Sequence, residues 1–329
     1  MTAEEALCAI EIAPSYKHLF TPTGVDERYR ELLILVHPDK FFTGYDQERA
    51  TNASARLGEF YAQAKGKTPQ HAVVLGKWIV ESPFVKGDVA DLYTVTSEKF
   101  GAGVVKIARA ASDNDLMEAE AQALKTMWKG PKPASGTRYL PTLLDTFQAS
   151  GRRANVLRKY SEHVSLAAIR KMIPGGVPFR HVVWMMNRLL SAIGHTERAE
   201  FIHGGITPDH LLYHPEEHGL VLVGWCSVAN LKTKERIKIV ADGWKDLYPG
   251  EVPRKFVAGA GTNIYMAAKC MKWAAESIPT RFRALLDWCT AESPSARPRD
   301  AWELQDLWRV LAEEEYGKPR YVKLELPNR

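Results

Sequence analysis

A proline placed between two helical periods constrains this chain most. Pro38 has no backbone N–H and disfavours the helical region at His37, so a helix reaching Val36 must stop there. Upstream, Asp26 and Glu27 open a helix whose apolar positions Tyr29, Leu32, Leu33 and Val36 fall on one face. Downstream, Ala50, Ala53, Leu57, Phe60, Tyr61 and Ala64 share one face of a second helix, with Arg49, Arg56 and Glu59 outside it. Two amphipathic helices joined by a short loop cover each other as an antiparallel hairpin. That leaves His37-Pro38-Asp39 at the tip, where a partner can read it.

Tyr29-Arg30-Glu31-Leu32 running into His37-Pro38-Asp39-Lys40-Phe41 resembles the J-domain of DnaJ-type co-chaperones, over residues 1–70. The resemblance implies that His37, Pro38 and Asp39, flanked by the basic side chains Arg28, Arg30 and Lys40, dock on a DnaK-type chaperone and stimulate its ATP hydrolysis. In the family the preceding helix is rich in lysine, whereas here Arg28 and Arg30 stand among Asp26, Glu27 and Glu31. Rim charges set encounter rate more than affinity, so this dilution implies slower association rather than a lost site.

With 329 residues, 45% of them hydrophobic, the chain can build two cores. Its net charge of +5 is uneven: residues 1–70 hold 8 basic and 10 acidic side chains, leaving 36 and 29 for the rest. No dense basic block with interleaved aromatics occurs, so no nucleic-acid partner is expected. Cys8, Cys226, Cys270 and Cys289 are far apart and lack metal-ligand spacing, as reduced core residues would. The apolar run Leu32 to Val36 is too short to span a bilayer, and no basic-then-apolar leader opens the chain. A reducing, cytoplasmic setting without a membrane contact is the expectation.

Lys65-Gly66-Lys67-Thr68-Pro69 and Glu81-Ser82-Pro83 interrupt the helical period, so residues 71–84 read as a linker or strut. Beyond it, Val89 to Val95 and Gly103 to Ile107 read as strands, Asp113 to Met127 as a helix, and Thr142 to Phe147 and Ala154 to Leu157 as further strands. From Phe179 onward the chain is mainly helical. The expected architecture is α+β and multidomain: a small all-α helical hairpin, then two lobes, β-rich over residues 85–159 and α-helical over 160–318, with a tail at 319–329.

This order resembles the protein-kinase fold over roughly residues 84–312. Val104-Val105-Lys106-Ile107 resembles the third-strand V-A-I-K element, whose lysine holds the nucleotide phosphates, and Glu120 takes the place of its helix carboxylate partner. His203-Gly204-Gly205-Ile206-Thr207-Pro208-Asp209-His210 resembles the catalytic loop H-R-D-L-K-P-x-N, and Leu220 to Cys226 resembles the strand entering D-F-G. Gly261 to Ala268 resembles the end of an activation segment, and Arg297-Pro298 the late structural Arg-Pro. His203-Gly204 and Gly224-Trp225 also resemble elements of small-molecule phosphotransferases, which share the fold; Tyr265-Met266-Ala267 and Arg297-Pro298 favour the protein-kinase branch.

The resemblance also implies that the chemistry has been removed. Phosphoryl transfer needs one carboxylate toward the substrate hydroxyl and another on magnesium. Gly205 and Gly224 stand at those two positions. His210 replaces the asparagine of the second magnesium site, and Thr207 replaces the lysine that steadies the phosphate. The nucleotide-covering loop, Gly87 to Tyr93, keeps one glycine and adds Asp88 and Asp91. Lys269 occupies the place of the glutamate that pairs with Arg297, so Arg297 must find another carboxylate such as Glu292 or Glu303, or this corner is rebuilt. No catalytic residue and no metal site are expected.

The implied function is a J-domain co-chaperone fused to a pseudokinase that binds a client or scaffold protein. It requires no cofactor, with ATP at Lys106 and Glu120 an optional ligand. Two alternatives remain open. One is an atypical kinase-fold enzyme for phosphoryl or nucleotidyl transfer, using Lys106, Glu120 and a displaced carboxylate such as Asp209, Asp242 or Asp246. The other is a regulator that binds nucleotide without hydrolysing it.

Overall fold

Thr2 starts the first helix by reciprocal capping: its hydroxyl accepts from the Glu5 N–H at 3.2 Å, and the Glu5 carboxylate accepts from the Thr2 N–H at 2.8 Å. Helix α1 (Ala3–Ile12) follows, then α2 (Val25–Val36) and α3 (Gly44–Ala64). The structure is a computed structural model describing residues 1–21, 23–41, 44–65, 74–129 and 136–327. It divides into two compact units, Met1–Gly76 and Lys77–Arg329.

In the first unit α2 stops at Val36 and His37 is extended, at φ −63° and ψ 129°, as the following proline dictates. The chain turns through Pro38–Lys40 and returns antiparallel. Asp26 at the start of α2 accepts from Tyr61 Oη at 2.6 Å and Lys65 Nζ at 2.9 Å, both late in or just after α3. Tyr29 stacks on Tyr61 with centroids 4.1 Å apart, and near the turn Ser54 Oγ donates to the Val36 carbonyl at 2.9 Å. Helix α1, which the apolar period of the hairpin does not announce, adds Ala6, Leu7 and Ile10 to a core with Leu32, Val36 and Leu57. Arg49 of α3 ties it down through Glu4 at 2.7 Å and Glu11 at 2.6 Å.

The second unit opens with a twisted antiparallel sheet. Strands β1 (Trp78–Lys86), β2 (Ala90–Ser97), β3 (Gly101–Ala108), β4 (Leu143–Ala149) and β5 (Arg152–Arg158) are hydrogen-bonded in the order β1-β2-β3-β5-β4. The sheet therefore begins inside the stretch read as a linker or strut. The reason is Trp78, which is fully buried and donates its indole N–H to Asp145 at 2.9 Å. Pro83, read as a break, is absorbed by register shifts between Val80 and Ser82 and between Pro83 and Val85. The other expected break, Gly66-Lys67-Thr68-Pro69, lies outside the described residues. Helix α4 (Asn114–Trp128) packs on the sheet.

The helical lobe comprises α5 (Leu166–Met172), α6 (Phe179–Arg198), the hairpin β6 (Leu211–His214) and β7 (Gly219–Leu222), α7 (Ala260–Ala274), α8 (Thr280–Cys289) and α9 (Ala301–Tyr316). Its core is centred on α6, with Phe282 edge-on to Phe179 at 4.9 Å and to Trp308 at 4.8 Å. Among the described residues no helix is long and apolar enough to cross a membrane.

Gly261 to Ala268 forms the first turns of α7. One sequence assignment needs correction here. The carboxylate that pairs with Arg297 is supplied by Glu251, with Nη1 to Oε1 at 2.6 Å and Nη2 to Oε2 at 3.1 Å, both side chains buried. Glu292 contributes only its backbone carbonyl, at 2.8 Å, and the guanidinium lies 4.6 Å over the Tyr265 ring. A buried guanidinium must be neutralised, and Glu251 does so from the loop before α7, while Lys269 is half-buried farther along that helix.

Glu197, in the last turn of α6, has a buried carboxylate oxygen without a hydrogen-bond partner. Burial first, then the charge of Asp300, push its carboxyl up to about 8 against an opposing bond from the Ala301 N–H. The folded state keeps a proton that the unfolded chain releases near 4.5, so folding stability falls as pH rises through that window. Thermal melts between about pH 5 and 9 should show the wild type losing stability relative to Glu197→Gln; parallel curves would refute the assignment.

Candidate functional site

The turn and the cleft lie in different units. At the turn, His37 is exposed, Pro38 half-buried and Lys40 exposed; the Asp39 side chain lies outside the described residues. Arg30 is exposed on the outer face of α2, and Arg28 pairs with Glu31 at 3.1 Å across water-exposed side chains, an interaction worth little. Ile34 is 60% exposed four residues beyond Arg30. The sequence reading passed over it, although its place off the Tyr29-Leu32-Leu33-Val36 stripe is the signal that it faces outward.

In the cleft, β3 and α4 bring Lys106 and Glu120 together, Nζ to Oε1 at 2.5 Å, with both side chains buried. Glu120 is held further: Oε1 accepts from the Trp225 N–H at 3.2 Å and Oε2 from Asn155 Nδ2 at 3.0 Å. Cys226 Sγ lies 3.2 Å from Lys106 Nζ. Burial works against the Lys106 ammonium, but its ion pair with Glu120 outweighs it and raises its pKa. The Cys226 thiol is itself pushed up to about 12, by burial and then by Glu120. It is neutral near pH 7, which leaves Glu120 as the counter-charge. Asn155 escaped the sequence reading, although a lone polar residue within Ala154 to Leu157 was a usable signal; Trp225 and Cys226 were named there without this role.

Gly224 sits at φ +84°, in the left-handed region, and a Cβ placed on it would lie 2.4–2.6 Å from the His210 ring. The imidazole thus fills the space that a side chain at 224 needs. His210 Nδ1 donates to the Gly205 carbonyl at 2.6 Å, since that oxygen can only accept, and burial lowers the ring's pKa and keeps it neutral. His203 donates from Nε2 to the Val223 carbonyl at 2.9 Å and accepts from the Gly205 N–H at 3.2 Å. A Cβ on Gly205 would come within 3.1 Å of Ser227 Oγ. Thr207 is buried, and its hydroxyl has no hydrogen-bond partner among the described residues.

Two of the carboxylates named for an atypical mechanism are engaged with other partners. Asp209 accepts from the Trp244 indole at 2.7 Å, and Asp242 pairs with Lys245 at 2.9 Å. Asp246 is exposed. Among the described residues no three His, Cys, Asp or Glu side chains converge as metal ligands would. A cavity of about 450 Å³ lies between α4 and β4, lined by Leu124, Trp128, Leu143 and Asp145, and it includes none of the cleft residues above.

Compared with known proteins, the chain matches no family model and no curated protein. Among solved structures it is similar to the kinase domain of Mycobacterium tuberculosis PknI, at 13% identity and a TM-score of 0.56, covering 73% of this chain and 98% of that one. That likeness defines the class of fold: a kinase-like arrangement of a sheet-rich lobe and a helical lobe. Tyr265-Met266-Ala267 lies inside α7.

The His210 ring and the left-handed backbone together set a cost for any side chain at 224. Gly224→Asp should lose about 2 kcal/mol or more in urea unfolding. Adding His210→Ala should recover part of that loss, because the ring is gone while the backbone strain persists. A Gly224→Asp protein as stable as the wild type would show that the ring does not hold this space.

Proposed function

We propose that the chain is a J-domain co-chaperone whose kinase-like unit binds a client or scaffold protein without transferring phosphate. The observation that carries the first half is the turn: His37-Pro38-Asp39 sits between two antiparallel helices, with Arg28, Arg30 and Lys40 on or beside α2, in the order that family's motif requires. A DnaK-type chaperone is the partner this implies. The second half rests on Gly205 and Gly224 at the two carboxylate positions and on the His210 ring across the second of them. Without those charges an electrostatic contribution of several kcal/mol to barrier lowering is missing, which is orders of magnitude in rate. A binding unit fused to a chaperone-recruiting unit raises the local concentration of client at the chaperone without any new contact. No cofactor, membrane or nucleic acid enters this reading, and its setting is the cytoplasm.

A second reading, nucleotide held without turnover, is favoured by the intact Lys106–Glu120 pair. Metal-free ATP at millimolar concentration should raise the melting temperature under this reading and leave it unchanged under the first. For the first, a purified DnaK-type ATPase should be stimulated by the wild type and not by His37→Gln; equal rates with and without the wild-type protein would sink the co-chaperone reading.

A further inference from the structure

Beyond α9 the chain runs over the helical lobe without forming a helix or strand of its own. It leaves α9 at Gly317, at φ +76°, and residues 318–327 pass the turn between β6 and β7. Tyr321 Oη donates to the Glu216 carbonyl at 2.7 Å, and its ring lies against that of His218 with centroids 4.8 Å apart. His218 Nε2 donates to the Val322 carbonyl at 2.9 Å, an oxygen that can only accept. Lys323 pairs with the Glu216 carboxylate at 2.9 Å. Leu324 is the anchor, for it is 2% exposed and joins the apolar core of the lobe. His218 also stacks parallel to the Trp184 indole of α6 at 4.1 Å, and its carbonyl accepts from Arg188 Nε at 3.1 Å. At φ +51° it is a non-glycine residue in the left-handed region, a conformation that persists where the surroundings over-determine it.

We propose that this face of the helical lobe, across α6 and the β6–β7 turn, is a peptide-docking groove that residues 321–326 fill in cis. Its partner is an extended segment of another protein that carries the tail's own pattern: an aromatic residue, a base two positions on and a leucine at the third. The tail shows what the groove reads. A ring covers His218, a main-chain carbonyl meets its Nε2, a cation answers Glu216 and a leucine enters the core. The tail is also held as an exchangeable occupant would be. Tyr321 is 63% exposed, and the Lys323–Glu216 pair joins two water-exposed side chains and so holds weakly. Tethered in cis, the tail has an effective concentration on the order of millimolar, so a free peptide of equal affinity displaces it poorly until its anchor is lost. The inference does not rest on the chaperone reading, whose ATPase assay probes the other unit, so either can fail alone.

Fluorescence anisotropy of a fluorescein-labelled synthetic peptide of residues 317–327, titrated with the full chain, tests it. The Leu324→Asp chain, whose own tail has lost its anchor, should bind this peptide about tenfold more tightly than the wild type does. Tyr321→Ala/Lys323→Glu alters only exposed side chains and so keeps the fold, and it should also bind more tightly than the wild type. A peptide carrying Leu324→Asp should bind none of the three proteins. No binding to either variant overturns the proposal, as does equal binding to the wild type and both variants, which would place the peptide elsewhere. Light scattering of the wild type should show a monomer. A dimer that the peptide converts to monomers would give the groove to a second copy of this chain and overturn the assignment to a separate partner.

Discussion

The Lys106–Glu120 pair is the interaction on which the kinase-like unit turns. A buried ammonium and a buried carboxylate are each costly alone, and breaking such a pair typically costs about 3–5 kcal/mol because one charge is stranded. Here the pair joins β3 to α4, and through the remaining bonds of Glu120 it also fixes Asn155 on β5 and the backbone of Trp225. Removing the carboxylate would therefore release the helix, a strand and the turn at Gly224 together. Its presence is explained by architecture alone. An intact pair at this place is weak grounds for inferring catalysis.

The residues around the cleft form one mutually dependent set. Gly224 leaves a space, His210 fills it, and the ring is oriented by a bond to the carbonyl of Gly205. Gly204 similarly makes room for Ile237. Each glycine is answered by a specific neighbour. The turn at His37 is the reverse case, since it depends on local rules: a proline ends α2, and two apolar stripes bring α3 back.

What was legible in the sequence follows that division. Helices α2 and α3 and strands β2 to β5 were readable because apolar period and short-range order carry them, while the Lys106–Glu120 pairing rested on the resemblance to the kinase fold. Helix α1 was missed because its few buried residues, Ala6, Leu7 and Ile10, declare themselves only against the other two helices. Strand β1 was hidden by Pro83, whose effect a bulge absorbs. Glu251 could not be found by matching Gly261-Thr262 to a family pattern, since the pairing with Arg297 spans 46 residues and is decided by burial.

His210 and Gly224 also say something about order in sequence space. The ring can enter only where residue 224 has no side chain, and a side chain can return to 224 only after the ring has left. Related sequences with any Cβ at 224 should therefore carry a residue smaller than histidine at 210, and a route between the two states passes through glycine first. The pair acts as a ratchet: once both residues are in place, a side chain at 224 is two ordered steps away rather than one.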